Sequence, residues 1–411
     1  MSGNVCRGCG APLSRVFCDL GLSPISNAFI KPGDAGRSEI FYPLRVMVCD
    51  ACWLVQLEGG PDSAAHFHND YVYFSSYSES WLAHARNYAE AATKRFKLDK
   101  DSKVIEVASN DGYLLQNFVA AGIRCVGIEP AGNTAAVARQ NGVETREWFF
   151  GREAALNLAA EGWMVDLLVG NNVLAHVPDI NDFVGGMPLV LKSEGVVTLE
   201  FPHLLNLLVQ NQFDTIYHEH YSYFSLIALK PIFARAGLRV FDVEKLSTHG
   251  GSLRIYVCHA AATRSEGEAV AAIEAQERAE GLANPERFAA FAAGVAAAKR
   301  DLLGFLIRAK GLGKRIAAYG AAAKGNTLLN YCGVRSDMID FVADKNPTKV
   351  GRLLPGCRIP VVSPEAIDRT KPDYVLILPW NLKDEVMKEM AHIREWGGQF
   401  IVAIPTLDVL P

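Results

Sequence analysis

The sequence predicts a three-domain α/β protein in which a small cysteine-rich module precedes two domains built on parallel sheets. Two Cys-x-x-Cys pairs lie near the start of the chain. From Lys103 onward, short apolar runs alternate with helical segments, and the same alternation begins again at Lys314. Such alternation is typical of parallel strands joined by crossover helices. The 411 residues suffice for two or three domains, and we place them at 1–65, 66–304 and 305–411.

The composition indicates a folded protein and argues against two classes of partner. Hydrophobic residues make up 50% of the chain and charged residues 21%, whereas disordered chains are poor in apolar residues and rich in charge. The net charge of −4 argues against a nucleic-acid partner, because binding to phosphate backbones requires a basic surface. The chain shows neither a signal-peptide pattern nor an apolar run of about 18 residues. We therefore expect a cytoplasmic monomer without nucleic-acid or membrane partners.

The paired cysteines predict a structural zinc site. Two residues between thiolates allow a tight turn to aim both sulfurs at one ion, and two such turns complete a tetrahedral site. Four thiolates leave no open position for a substrate, so the ion would be structural. Buried or redox-active thiols are the alternative. The expected ligands are Cys6, Cys9, Cys49 and Cys52.

The first apolar run of the central domain leads into a polar loop that predicts the class of nucleotide ligand. A dinucleotide fingerprint needs Gly-x-Gly-x-x-Gly for close approach of a pyrophosphate, but Ala108 and Asn110 stand where the first two glycines would be. Glu129 ends the second run, where it can accept hydrogen bonds from two ribose hydroxyls. A generic strand–helix turn is the alternative. We predict an S-adenosylmethionine site of the class I methyltransferase type, formed by Glu106, Ser109, Asn110, Asp111, Gly112, Glu129 and Asn171.

The densest group of chemically active side chains is Tyr217-His218-Glu219-His220-Tyr221. A metalloprotease would need His-Glu-x-x-His, which this spacing does not provide. A metal site using both histidines requires an extended segment, because residues i and i+2 diverge on a helix. We favour proton transfer by one histidine as a general base, with Glu219 setting its orientation or basicity. The residues alone do not decide between His218 and His220.

Further motifs follow in a fixed order along the chain. They are Asp19-Leu20-Gly21, Asn27-Ala28-Phe29, Tyr42-Pro43-Leu44, Tyr71 to Ser76, Glu106 to Gly112, Glu200-Phe201-Pro202-His203 and Phe213-Asp214-Thr215-Ile216-Tyr217-His218-Glu219-His220. Together with the cysteine pairs, they resemble the three-domain, zinc-containing nucleotide-sugar C-methyltransferases of deoxysugar biosynthesis. Those enzymes methylate carbon 3 of 4-keto-6-deoxysugars. The resemblance extends over essentially the whole chain.

The resemblance implies a mechanism and roles for individual residues. His220 is the expected base that removes the proton at carbon 3, with Tyr217 and Glu219 beside it. His176 and Tyr71 are the expected partners of the ketone or enolate oxygen, although the aromatic segment around Tyr71 would by itself be interpreted as packing. A base must be neutral to accept a proton, and a developing enolate needs preorganised donors.

The resemblance also implies that the C-terminal domain, a second Rossmann-like domain, helps to bind a dTDP- or GDP-linked sugar. Lys324 and Asn326 are expected to contact the substrate phosphates, and His249 is a further expected substrate contact. The Gly-x4-Gly spacing before Asn326 lacks the Lys-Ser/Thr of a P-loop. Duplication of the fold without a ligand is therefore the alternative at this site.

Other functions stay open at this point. One is a methyltransferase acting on another acceptor, and another is a zinc-containing NAD(P)-dependent oxidoreductase that uses the C-terminal domain. A non-catalytic zinc ribbon is disfavoured by the net charge of −4 and by the Tyr-His-Glu-His cluster.

Overall fold

The computed structural model describes residues 5–60 and 74–411, and the elements named below belong to these ranges. The N-terminal module is an antiparallel sheet in which β1 (Arg15–Ser23) pairs with β2 (Tyr42–Val48), and β2 with β3 (Val55–Leu57). The turn between β2 and β3 carries the second cysteine pair. The second cysteine pair is therefore held between two paired strands.

The central domain begins with helix α1 (Glu79–Phe96), whose N-terminus is capped by the side chain of Ser78. Strands and helices then alternate. The strands are β4 (Lys103–Val107), β5 (Arg124–Ile128), β6 (Thr145–Arg146), β7 (Val165–Asn171), β8 (Leu191–Pro202), β9 (Ser222–Tyr223), β10 (Leu238–Leu246) and β11 (Ser252–His259). The helices are α2 (Leu115–Ala120), α3 (Gly132–Gln140), α4 (Arg152–Ala160), α5 (Ile180–Val190), α6 (Leu204–Val209), α7 (Leu226–Arg235), α8 (Glu268–Ala279) and α9 (Pro285–Gly311).

The central sheet has the order β10-β11-β8-β7-β4-β5-β6. Strands β4 to β8 run parallel, and β11 is antiparallel to both of its neighbours. The strand order reverses at β4, which lies between β5 and β7. Open α/β sheets bind ligands at such a switch point, outside the carboxyl ends of the strands. The loop after β4 and the residues after β7 are therefore the expected ligand-binding edge.

Strand β9 does not join the central sheet. It pairs with β3 of the N-terminal module, with Val55 opposite Tyr223 and Gln56 opposite Ser222. The segment that precedes β9 is the Tyr-His-Glu-His cluster. The N-terminal sheet therefore fixes one end of this cluster.

The C-terminal domain follows the long helix α9 and contains a second open sheet of order β14-β13-β12-β15-β16-β17. Its strands run parallel except for β17, and the order reverses at β12. The strands are β12 (Ile316–Tyr319), β13 (Val342–Ala343), β14 (Val361–Val362), β15 (Tyr374–Ile377), β16 (Gln399–Val402) and β17 (Asp408–Leu410). The helices are α10 (Ala323–Cys332), α11 (Glu365–Thr370) and α12 (Lys383–Glu389).

One hydrophobic core joins the N-terminal module to the C-terminal domain. The ring of Phe17 in β1 stacks on Phe291 of α9 with centroids 4.7 Å apart. Arg358 donates through Nε to Glu39 at 2.6 Å, and Ile30 forms a backbone bridge to Leu353. The two ends of the chain therefore pack against each other.

Two sequence predictions concern this architecture. The proposed domain boundaries stay predictions: the first lies outside the described residues, and α9 runs through the second. Within residues 5–60 and 74–411, the structure contains no helix with the length and apolar character needed to cross a bilayer.

Candidate functional site

The four predicted zinc ligands converge in the N-terminal module. Their sulfur atoms all lie within 4.8 Å of one another, with Cys6 Sγ 3.5 Å from Cys52 Sγ and Cys9 Sγ 3.6 Å from Cys49 Sγ. Thiolates on a tetrahedral zinc ion at ~2.3 Å would be about 3.8 Å apart. The donor set and its spacing therefore fit zinc.

Gln56 of β3 supports this cysteine cluster. Its Nε2 donates to Cys6 Sγ at 3.1 Å, and its Oε1 accepts from the backbone N–H of Arg7 at 2.8 Å. Hydrogen bonds of this kind orient the ligands of a metal. Gln56 also lies in β3, the strand that pairs with β9. The cysteine cluster is therefore connected through β3 and β9 to the histidine segment that precedes β9.

The loop after β4 has a strained backbone that shapes a binding site. Ala108, Asn110 and Gly112 have φ of 57°, 50° and 81°, in the left-handed region that side-chain-bearing residues rarely adopt. Glu129, at the end of β5, holds this loop because its Oε2 accepts from the N–H of Asn110 at 2.9 Å. Its Oε1 accepts from the N–H of Ala131 at 2.8 Å. Burial raises the pKa of Glu129 to about 7.

Buried polar atoms around this loop lack partners, which is the signature of a site built for a ligand. Among the described residues, both carboxyl oxygens of Glu106, Oγ of Ser109 and Oδ1 of Asp111 have no hydrogen-bond partner. The amide of Asn171, at the end of β7, is likewise unsatisfied by any residue in those ranges. Burial, and then the charges of Asp111 and Glu129, raise the pKa of Glu106 well above its usual value. These groups fit a ligand that carries hydroxyls and positive charge, as S-adenosylmethionine does.

His220 is held in a defined tautomer. Its Nδ1 lies 2.8 Å from the carbonyl oxygen of Thr215. Because a carbonyl only accepts, Nδ1 carries the proton and donates it. Burial, followed by the charge of His176, lowers the pKa of His220 well below its usual value, so the ring is neutral. Its Nε2 therefore keeps a lone pair that can accept a proton.

Two predicted partners lie against this imidazole. The ring of His176 is 4.7 Å from that of His220, centroid to centroid, and the ring of Tyr217 is 4.0 Å away. His176 ends a 3-10 turn that follows β7, and the N–H of Tyr221 donates to Ala175 O at 2.7 Å. The structure therefore brings His220, His176 and Tyr217 together at the carboxyl edge of the central sheet. Tyr71 lies outside the described residues.

Glu219 and His218 face the N-terminal module. Glu219 Oε1 accepts from Asn27 Nδ2 at 2.7 Å, and burial raises the pKa of Glu219 to about 7. His218 Nε2 donates to the carbonyl oxygen of Pro43 at 3.2 Å. The hydrogen bond that orients the His220 ring thus comes from the Thr215 carbonyl and not from Glu219.

His249 lies in a loop fixed by Glu200, a residue that was not among the predicted site residues. Glu200 accepts hydrogen bonds from His84 Nε2 at 2.9 Å, Thr248 Oγ1 at 2.8 Å and Arg254 Nη2 at 2.6 Å. Burial alone would raise the pKa of Glu200, but the hydrogen bond to His84 and the charge of Arg254 hold it at about 2. Burial lowers the pKa of His249 to about 4, so this histidine is neutral as well.

Lys324 and Asn326, both in α10, have different surroundings. Lys324 Nζ donates to Asn381 Oδ1 at 2.6 Å and lies 4.9 Å from the centre of the Trp380 ring. Burial, only partly offset by the charge of Asp214, lowers the pKa of Lys324. Asn326 is 0% exposed, and its Oδ1 accepts from Asn330 at 3.1 Å. Of the two, only Lys324 has a side chain that is partly exposed.

Several contacts at the site could not be found from the sequence. Two of these contacts come from side chains distant in sequence, Asn27 to Glu219 and Trp380 to Asp214. The third is the backbone carbonyl of Thr215, which accepts from His220. The motifs that carry the family resemblance contain Asn27, Asp214 and Glu200. They do not indicate which residues these side chains contact.

The comparisons with known proteins agree with this geometry. Three family models match the chain: "Putative zinc binding domain" at residues 6–67, "Methyltransferase domain" at 81–243 and "C-methyltransferase C-terminal domain" at 247–405. The C-methyltransferase NovU of Streptomyces niveus is 37% identical over 405 residues, which are 98% of this chain and 96% of that protein. The chain belongs to the C-methyltransferase family and uses S-adenosylmethionine as its methyl donor.

Solved structures show weaker likeness. The PH0226 protein from Pyrococcus horikoshii OT3 is 15% identical with a TM-score of 0.39, over 49% of this chain and 100% of that one. The magnesium protoporphyrin IX methyltransferase ChlM from Synechocystis PCC 6803 is 12% identical with a TM-score of 0.34, over 43% and 82%. These values are too low to say more about the present chain.

The predicted fold class is confirmed: a small N-terminal zinc-binding module, a central class I methyltransferase domain and a second Rossmann-like domain at the C-terminus. Membership of the family replaces the alternative of a zinc-containing oxidoreductase.

Proposed function

We propose that the chain transfers a methyl group to carbon 3 of a 4-keto-6-deoxysugar linked to dTDP or GDP. The observation that carries this proposal is the half-buried, neutral His220, whose Nδ1–H is committed to the Thr215 carbonyl. Its Nε2 is thereby a general base of fixed position. Such a base suits an acceptor with an acidic C–H, and the hydrogen next to a ketone is of this kind.

The roles of the chain's residues follow from the position of this base. His220 Nε2 takes the proton from carbon 3, and the electron pair of the C–H bond moves to the ketone oxygen to form an enolate. His176 is proposed to donate to that oxygen, supported by its ring lying 4.7 Å from that of His220 between centroids, and Tyr71 is its proposed partner. Tyr217 packs on the base at 4.0 Å and helps to exclude water. A neutral base and preorganised donors lower the barrier to enolisation.

The donor site is proposed to comprise Glu129 for the ribose hydroxyls, with the loop from Glu106 to Gly112 and Asn171 around the methionine moiety. S-adenosylmethionine, if held there, would supply an electrophilic methyl carbon on its sulfonium for the enolate carbon. The unsatisfied atoms of Glu106, Ser109 and Asn171 support this assignment. Zinc has a structural role in this scheme and takes no part in the reaction.

The nucleotide is proposed to bind between the central and C-terminal domains. The Lys324 ammonium helps to lower the pKa of His220, which supports a position for Lys324 near the reacting carbon. Lys324 would meet a phosphate oxygen, Asn326 would support α10 beneath it, and His249 would contact the sugar. The positive charge that an anionic substrate requires is thus available at the site despite a net charge of −4.

The substrate is tested by incubating the protein with S-adenosylmethionine and a panel of dTDP- and GDP-linked 4-keto-6-deoxysugars in heavy water. We expect one sugar to gain a methyl group by mass spectrometry and to exchange its carbon-3 proton for deuterium by NMR. A failure to turn over any of them, with turnover of an unrelated acceptor, would show that the family chemistry is used on another acceptor.

The base is tested by His220→Asn, with His218→Asn as the matched control on the same segment. We expect His220→Asn to abolish methylation and carbon-3 exchange while the donor still binds, because only Nε2 accepts the proton. His218→Asn should retain exchange, since that ring bonds to Pro43. Full exchange in His220→Asn would remove His220 as the base.

A further inference from the structure

The C-terminal domain holds the segment that carries the base on both sides of Thr215. Trp380 Nε1 donates to Asp214 Oδ2 at 2.8 Å, and Thr327 Oγ1 of α10 donates to the carbonyl oxygen of Ile216 at 3.0 Å. Thr215 lies between these two anchored residues, and its carbonyl accepts the Nδ1–H of His220 at 2.8 Å. The first two of these bonds join residues of different domains, 166 and 111 positions apart in sequence.

These contacts are shielded from water. Asp214 is 0% exposed, Thr327 1% and Trp380 8%. A hydrogen bond in such surroundings has no competing solvent partner, and losing one side leaves a buried group unsatisfied. The position of the Thr215 carbonyl is therefore set by the docked C-terminal domain as well as by the local chain.

We propose that Asp214, Trp380 and Thr327 are positioning residues through which the C-terminal domain fixes the tautomer and the place of His220. The proposal rests on the function proposed above in one respect, the use of His220 as the base. If the Thr215 carbonyl moves, the imidazole loses the acceptor that keeps the proton on Nδ1. Part of the population then carries the proton on Nε2 and cannot take one from carbon 3.

The Trp380 indole also contacts residues proposed to bind the substrate. The Trp380 ring lies against Gly250, where a Cβ would overlap it, so the ring is wedged beside the His249 loop. The Lys324 ammonium lies 4.9 Å from the centre of that ring. A phosphate held by Lys324 would therefore press on the residue that donates to Asp214. Through the Trp380 side chain, substrate binding at Lys324 would be coupled to the tautomer of His220.

The decisive variant is Trp380→Phe, which deletes the donor Nε1–H and keeps an aromatic ring. Trp396→Phe is the matched control, because its Nε1 donates to Pro372 O at 3.1 Å within the same domain and away from the base. In protein labelled with ¹⁵N-histidine, His220 is assigned by its absence from His220→Asn. We expect the wild type and Trp396→Phe to show the Nδ1–H tautomer, and Trp380→Phe to show an increased share of Nε2–H.

The kinetic readout separates positioning from binding. We expect Trp380→Phe to lower kcat roughly 10- to 100-fold, in line with the cost of misplacing a catalytic group, while KM for the sugar and Kd for the donor change less than about twofold. Thr327→Val should shift both readouts in the same direction by less. Asp214→Asn, which keeps an acceptor oxygen, should preserve the tautomer better than Asp214→Leu.

An unchanged tautomer together with an unchanged kcat in Trp380→Phe would overturn the proposal. An equal loss in Trp396→Phe would also overturn it, because the effect would then be general to the domain. The ¹⁵N experiment requires no substrate. Its result therefore tests the positioning of His220 even if no methylated sugar is found.

Discussion

The two Rossmann-like sheets of this chain share a topology and differ in what they leave unsatisfied. In each, a carboxylate after the second strand binds the N–H groups of the preceding loop: Glu129 accepts from Asn110, and Asp344 accepts from Ala321 at 2.7 Å. In the first loop, the buried Oγ of Ser109 and Oδ1 of Asp111 have no hydrogen-bond partner within residues 5–60 and 74–411. The second loop is Gly320 followed by three alanines.

The second loop is satisfied by its own domain. Lys349 Nζ donates to the carbonyl oxygen of Ala321 at 2.9 Å, and Asp344 Oδ1 accepts from the N–H of Asn346 at 2.8 Å. A Cβ on Gly320 would lie 2.5 Å from Pro379 Cδ, so the space above the loop is filled. The loop after β12 is therefore closed by contacts within its own domain. Among the described residues of the second sheet's surroundings, Asn326 Nδ2 and Asn330 Oδ1 are buried without a partner but lie on α10, whereas beside the first sheet the unpartnered atoms of Ser109 and Asp111 lie in the loop itself.

The largest effect is expected from removing the two equivalent carboxylates. Glu129→Ala should raise the Kd for S-adenosylmethionine about 100-fold or more, because hydrogen bonds to a charged acceptor contribute about 1.5–3 kcal/mol each. Asp344→Ala should leave that Kd within about twofold and lower the midpoint of thermal unfolding. Isothermal titration calorimetry measures the first effect, and equal Kd values in both variants would contradict the comparison.

A smaller effect concerns protons. Because the pKa of Glu129 is raised to about 7, this carboxyl is protonated below pH 7 in the free protein. Ribose hydroxyls donate to the carboxylate form, so donor binding should lower that pKa, release about half a proton at pH 7 and tighten as pH rises through 7. Calorimetry in buffers of different ionisation enthalpy measures the release. In Glu129→Gln, the proton release on donor binding should fall by about half a proton. An undiminished release would assign the protons to another group such as Glu106.

The smallest effects concern the two loop glycines. Gly112 has φ of 81° and Gly320 of 86°, and an added Cβ would lie 2.9 Å from Val143 Cγ2 or 2.5 Å from Pro379 Cδ. Each change to alanine should cost on the order of 1–3 kcal/mol of stability. Only Gly112→Ala should also weaken donor binding. Gly397 has φ of 79° and no atom within 4 Å of an added Cβ, so the thermal unfolding of Gly397→Ala measures the cost of backbone strain alone. Weaker donor binding in Gly320→Ala than in Gly112→Ala would contradict the comparison.

The sequence predicted those parts of the molecule whose chemistry lies in side-chain identity and short spacing. The cysteine pairs at 6–9 and 49–52 converge as expected, and their spacing alone indicated a metal. The loop before Gly112 and the acid Glu129 came from the same kind of local pattern. The alternation of strands and helices likewise predicted both parallel sheets, because crossover helices leave a regular trace in the apolar pattern.

The contacts that surround His220 could not be predicted in this way. Its acceptor is the backbone carbonyl of Thr215, which leaves no mark in the residue type. Asp214 and Trp380 are separated by 166 positions, and nothing local to either indicates the other. The residues could not decide between His218 and His220, and the structure separates them by direction, since His218 faces Pro43. The left-handed backbone conformations of Ala108 and Asn110 were also not predicted, because neither residue type requires a positive φ.

The stacking of Phe17 on Phe291 has a consequence for biosynthesis. The ribosome makes Phe291 roughly 270 residues after Phe17, which at ~5–20 residues per second is a delay of about 15–55 s. During this interval the first sheet lacks the apolar contacts that α9 provides. The first sheet thus waits for part of its native surroundings until late in synthesis, and nascent-chain crosslinking at Phe17 would detect a chaperone there until α9 has left the exit tunnel.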